Sequence, residues 1–109
     1  MHELAITQSV VDAVTERTGT ARVAAVRLRV GRLAGVVPDA MLFCFELVTG
    51  GTPLDGAVLE FDQPEGRGRC RTCGSEFVLA DLVLLCDCGS ADVEVLAGRE
   101  LAVASVVLA

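Results

Sequence analysis

The sequence has no tryptophan and no tyrosine, and only four phenylalanines and one histidine in 109 residues. A core made from it must rest on Val, Leu and Ala. Long apolar runs are missing as well. No stretch of about 18 uncharged apolar residues occurs, which excludes a membrane-spanning helix, and "AVASVVLA" near the end is too short. The N-terminal stretch has no basic region leading into an apolar one, because Glu3, Gln8 and Asp12 interrupt it. A signal peptide is therefore not expected, and the expected compartment is the cytoplasm. Positive charge is scarce too: nine basic residues face fifteen acidic ones, a net charge of −6. Phosphate backbones repel such a surface, and no basic stripe interleaved with aromatics offsets it, so no nucleic-acid partner is expected. Arg22, Arg27, Arg29 and Arg32 cluster only locally, on what reads as the solvated face of a strand.

An apolar content of 52% makes a packed core possible and argues against wholesale disorder. The length suits one domain, or one domain with a small appendage. Residues 3–18 read as an amphipathic helix with Ile6, Val10, Ala13 and Val14 on its apolar stripe, widened by Leu4 and Val11, and Gly19 as its stop. Residues 22–33 alternate, with Ala24, Val26, Leu28 and Val30 on one face and Arg27 and Arg29 on the other, the period of a half-buried strand. Pro38 opens a second helix. Asp39 suits the positive end of its dipole, and Met41, Cys44, Phe45 and Val48 share a face. Residues 57–63 form a second strand, and "PEGRGR" breaks the pattern. Three short β-like pieces follow, "EFVL", "LVLL" and "VEVL", and "RELAVASVVLA" reads as a final strand. A helix–strand–helix–strand unit, interrupted by a cysteine module and completed by its last strand, makes an α+β fold with an inserted zinc-ribbon-like domain. The boundaries fall at 1–66 plus 99–109 for the main domain and 67–98 for the insert.

Four of the five cysteines lie between positions 70 and 88. In a chain read as intracellular, that spacing points to a metal rather than to disulfides. Cys70 and Cys73 form a C-x-x-C turn followed by Gly74, and Cys86 and Cys88 a C-x-C followed by Gly89. Two cysteine pairs separated by a β-like excursion are the layout of a zinc ribbon, with four thiolates on one ion. The shortened second pair leaves open a site in which Asp87 or water replaces Cys86, and iron in a rubredoxin-like site is the alternative metal. A closed four-thiolate site leaves no position for substrate, so its zinc is structural. An insert of this size needs a metal to fold. Cys44, alone on the apolar face of the second helix, reads as a small core hydrophobe.

"MHE" offers a second donor set. The Met1 α-amine, the His2 and Glu3 amides and the His2 imidazole are four nitrogens able to lie in one plane, the geometry of Ni(II) or Cu(II). Glu3 also suits the first turn of a helix electrostatically.

Taken together, "MHEL", "VGRLAGVVPDAMLFCFELVTGGTPLDGAVLE", "CRTCG", "CDCGS" and "LAGREL" resemble, in order and over essentially the whole chain, the HypA/HybF family of hydrogenase nickel-incorporation proteins. The resemblance implies a small α/β nickel-binding domain with an inserted zinc domain. It implies a nickel metallochaperone, not an enzyme, that helps load [NiFe] hydrogenase, with urease a further client of some relatives. Ni(II), the transferred ion, would bind at Met1, His2 and Glu3, and structural Zn(II) at Cys70, Cys73, Cys86 and Cys88. The implied partners are a HypB-like GTPase and the [NiFe] hydrogenase large-subunit precursor, with the chain itself a monomer or weak homodimer. The rival reading is a zinc-ribbon protein-interaction module without a nickel role. No Ser-His-Asp set, helical His pair or phosphate loop supports an enzyme.

Overall fold

The computed structural model describes residues 2–109. Met1, the first of the expected nickel donors, lies outside the described residues. In chain order the elements are α1 (Glu3–Thr18), β1 (Val23–Val30), α2 (Pro38–Thr49), β2 (Val58–Asp62), β3 (Gly66–Cys70), β4 (Glu76–Leu79), β5 (Val93–Ala97) and β6 (Leu101–Leu108). They form two three-stranded sheets, ordered β2-β1-β6 and β4-β3-β5. The chain divides into two compact units: one runs up to Leu28 and adds Val36–Phe61 and Ala102–Ala109, and the other comprises Arg29–Gly35 and Asp62–Leu101. Among the described residues no helix is long and apolar enough to cross a membrane.

In the first unit α1 and α2 pack against one another. α1 ends where Gly19, at φ +60°, turns its N–H back to the Thr15 carbonyl at 2.8 Å, and Pro38 stands at the start of α2. The buried stripe of α1 is Thr7, Val11 and Val14. Val11 and Val14 belong to the expected apolar face, whereas Ile6 and Val10 are only half-buried, Leu4 and Ala13 are exposed, and Thr7 is buried in their stead. Threonine is admitted because the Thr7 hydroxyl donates to the Glu3 carbonyl of its own helix at 2.6 Å, so no polar group is left orphaned. Thr49 repeats the device in α2 by donating to the Phe45 carbonyl at 2.7 Å. In β1 the inward residues are Val23, Val26, Leu28 and Val30, with Ala24 exposed. The Val23 N–H bonds the Pro53 carbonyl, and the Arg32 N–H bonds that of Pro64. Both chains advance together, so β1 and β2 are parallel with α2 as the crossover. The Ala109 N–H bonds the Arg22 carbonyl and the Gly31 N–H that of Glu100. The final strand therefore runs antiparallel beside the first.

The second unit is centred on β3, which the sequence reading took for a break. Gly66, Gly68 and Cys70 point inward, Arg67 and Arg69 outward. β3 pairs antiparallel with β4 (Gly66 opposite Leu79) and with β5 (Cys70 opposite Val93). Its glycines are there for space. A Cβ on Gly66 would lie 2.5 Å from the Leu79 carbonyl oxygen and 2.6 Å from Leu33 Cδ1, and one on Gly68 2.9 Å from Val93 Cγ1. "LVLL" is not a strand: the chain bends at 80–82, and Leu82, Val83 and Leu85 are exposed. β-propensity alone does not form a strand where no neighbour offers a ladder.

Candidate metal centres

Two short turns bring four sulfur atoms together. In the first, the Gly74 N–H donates to the Cys70 carbonyl at 2.8 Å and the Cys70 N–H to the Ser75 carbonyl at 2.9 Å. In the second, the Gly89 N–H donates to the Cys86 carbonyl and the Cys86 N–H to the Ser90 carbonyl, both at 2.9 Å. The turns are one motif, shortened by a residue in the second copy. Each closes on a glycine in the left-handed region, Gly74 at φ +79° and Gly89 at φ +92°. The hydroxyls of Thr72 and Ser90 join the turns at 2.8 Å.

The Sγ atoms of Cys70, Cys73, Cys86 and Cys88 all lie within 4.8 Å of one another. Cys70 Sγ stands 3.7 Å from Cys88 Sγ, and Cys73 Sγ stands 3.6 Å from Cys86 Sγ. A tetrahedral four-thiolate zinc with Zn–S near ~2.3 Å has edges of about 3.8 Å, so the cluster has the dimensions of that ion. Cys86 joins despite the shortened spacing, while Cys44 does not belong to the cluster. Cys70 and Cys86 are buried; Cys73 and Cys88 are exposed. Around the cysteines the buried apolar cluster is Cys70, Cys86 and Val93, with Phe77 and Leu84 against it. Two of its three buried members are thus ligand candidates, too little to hold a fold without a staple.

Proton affinities in the cluster are split. The Cys73 amide, aimed at Cys70 Sγ from 3.5 Å, outweighs desolvation and pulls Cys70 down to about 6. The Ser75 hydroxyl, 3.3 Å from Cys73 Sγ, lowers Cys73. For Cys86 the Cys88 amide acts downward, but burial and the neighbouring sulfur atoms together push it up to about 12. An ion that takes all four sulfurs therefore displaces the Cys86 proton.

The N-terminal motif lies in the first unit. His2 is the N-cap residue of α1, exposed, and its side chain makes no capping bond. Its carbonyl accepts the first helical bond, from the Ile6 N–H at 3.0 Å. The amides of His2 and Glu3 precede that bond, among the N–H groups that a helix leaves without an internal partner. The half-buried Glu3 directs its carboxylate to the backbone N–H of Val37 at 3.3 Å, tying the start of α1 to the N-cap residue of α2. His2 and Glu3 line an open groove of about 480 Å³ together with Ala40, Phe43 and Cys44 of α2. Cys44 is half-buried against this groove, not sealed in the core as its sequence position suggested. The only sign in the sequence was that Cys44 lies one helical turn from Ala40, near the start of α2.

Comparison with known proteins gives a consistent result. Residues 1–108 match the family model HypA, described as "Hydrogenase/urease nickel incorporation, metallochaperone". A hydrogenase maturation factor HypA of Geotalea uraniireducens is 51% identical over 104 residues, covering 94% of each chain. That of Nostoc punctiforme is 43% identical over 106 residues, covering 97% of this chain and 94% of the relative. The solution structure of the Ni metallochaperone HypA from Helicobacter pylori superposes with a TM-score of 0.67 at 18% identity, covering 99% of this chain and 97% of that one, a likeness of fold. With the whole-chain family match and relatives this similar, the chain belongs to the HypA family of hydrogenase maturation factors.

Proposed function

We propose that this chain is a nickel metallochaperone that binds Ni(II) at its N-terminus and passes it on during maturation of [NiFe] hydrogenase, with urease as a second client. The donors are the Met1 amine, the His2 and Glu3 amides and the His2 imidazole. The observation that carries this reading is the position of His2 and Glu3 ahead of the first helical hydrogen bond. A metal can take their amide nitrogens without breaking α1, and the His2 ring is not used as a cap. Planar nitrogen coordination suits Ni(II). A terminal set of donors also suits transfer, because they can leave one at a time without opening a core.

Cys70, Cys73, Cys86 and Cys88 hold structural Zn(II), supported by sulfur separations of tetrahedral size. Residues 1–66 plus 99–109 serve as the nickel-binding domain and 67–98 as the zinc-binding domain. The chain works in the cytoplasm with a HypB-like GTPase and the hydrogenase large-subunit precursor, and catalyses no reaction itself. Equilibrium dialysis against nickel, with elemental analysis, tests the reading. Chain without an added N-terminal extension should take up one nickel beside one zinc, and chain carrying an extension should take up zinc alone. Equal nickel uptake by both would sink it.

A further inference from the structure

The sheet β2-β1-β6 ends in two edges of different character. β2 is five residues long and bears Glu60 and Asp62, charges that discourage pairing with another chain. β6 is eight residues long, has neither charge nor proline, and is exposed at every position except Val106, which is half-buried. Its outer edge has no partner strand among the described residues. A row of unpaired N–H and C=O groups on an uncharged strand is a template for a further strand.

A groove of about 530 Å³ runs beside this edge, between α1 and β6. Ala13, Val14, Arg17 and Thr18 line it from the helix, and residues 103–106 from the strand. Apart from Arg17 these side chains are small, so they leave room for the inward row of an added strand. Arg17 is the groove's only charged residue, is exposed, and forms no ion pair with any described residue.

We propose that this edge is a strand-addition site for an extended, apolar segment of a partner protein that carries a carboxylate near its middle. Arg17 selects the occupant. A second copy of β6, paired across a twofold axis, brings no carboxylate and sets two Arg17 guanidinium groups against each other. An acidic apolar strand instead pairs its backbone with β6, lays alternate side chains over Ala13 and Val14, and brings its carboxylate to Arg17. The site uses none of the metal-binding residues.

The test uses zinc-loaded, isotope-labelled full chain and the nonapeptide Thr-Val-Ser-Val-Glu-Val-Ser-Val-Thr. Two control peptides are a counterpart with Lys at the centre and a version N-methylated at alternate backbone nitrogens. The Glu peptide should shift the amides of residues 101–108 and bind about fivefold more tightly than the Lys peptide, the range of a partly exposed ion pair and its reversal. N-methylation should abolish binding. Arg17→Glu, an exposed change checked by circular dichroism, should invert the preference between the two peptides. The proposal fails if the Glu and Lys peptides bind alike, if shifts fall away from β6, or if no binding occurs at millimolar peptide. It also fails if the β6 amides shift with protein concentration alone, which would make a second copy the occupant.

Discussion

The carboxylate of Glu3 accepts the backbone N–H of Val37 at 3.3 Å, across 34 positions of sequence. This bond satisfies a donor at the start of α2 and leaves the Glu3 amide unengaged by its own side chain. Under the proposed nickel site the two ends of one residue have separate roles, carboxylate for structure and amide for metal, and they can be tested separately. Glu3→Gln keeps an acceptor for Val37 and keeps the amide, so nickel uptake should be unchanged and stability should fall by no more than about 1 kcal/mol. Loss of nickel from this variant, measured by dialysis, would make the carboxylate itself a ligand.

His2→Ala removes an exposed ring that makes no capping bond. Stability should stay within about 0.5 kcal/mol, as for a surface change, and zinc content should remain one per chain. Nickel binding should be lost. Calorimetric titration with nickel, beside thermal unfolding, gives both readings, and nickel affinity equal to wild type would refute the assignment of His2.

Zinc removal should act on one unit only. A chelator should abolish the β3–β5 signals in an amide spectrum while α1 and α2 keep their helical circular dichroism, because the buried cluster around the cysteine turns is mostly sulfur. Structural zinc in small domains contributes about 10–16 kcal/mol of apparent binding energy, far more than that cluster can supply. Cys86→Ser should lower zinc content as severely as Cys70→Ser, since both are buried in the cluster. Full zinc retention by Cys86→Ser would mean that Asp87 or water completes the site.

Zinc loading should depend on pH. Burial and the neighbouring sulfur atoms raise Cys86 from 9.0 to about 12, so the ion must displace its proton, and zinc affinity should weaken as pH falls. Zinc loading at neutral pH should release protons, visible as a buffer-dependent heat of binding.

The β3 glycines should rank by what their Cβ would strike. Gly66→Ala meets a backbone carbonyl, that of Leu79, whereas Gly68→Ala meets the side chains of Val93 and Leu79. Backbone yields less than side chain, so Gly66→Ala should cost about 1–3 kcal/mol and Gly68→Ala less. Urea unfolding of zinc-loaded protein orders the two, and a reversed order would discount the close approach at Gly66.

Much of the fold follows from local pattern. The helices at 3–18 and 38–49 carry periodic apolar faces and clear start or stop residues, and β1, β2 and β6 carry period-two or continuous apolar runs. β3 was hidden because its inward positions are Gly66, Gly68 and Cys70. Their role is to let neighbours approach, which no propensity scale registers. "LVLL" misled for the opposite reason, being rich in strand formers with no ladder to join. On α1 the buried Thr7 escapes the pattern because threonine counts as polar, yet its hydroxyl is satisfied within its own helix. Of the candidate sites, the cysteine pairs were legible from spacing. The Glu3–Val37 bond and the groove beside Cys44 depend on α1 meeting α2, and neither helix encodes that meeting alone.

Each cysteine turn sends one sulfur inward and one outward: Cys70 and Cys86 are covered, Cys73 and Cys88 are not. An oxidant or a competing ligand approaching from solvent therefore meets one thiol from each turn first. Attack at the rim thus reaches both turns at once, while the covered pair, Cys70 and Cys86, is reached only after the unit opens.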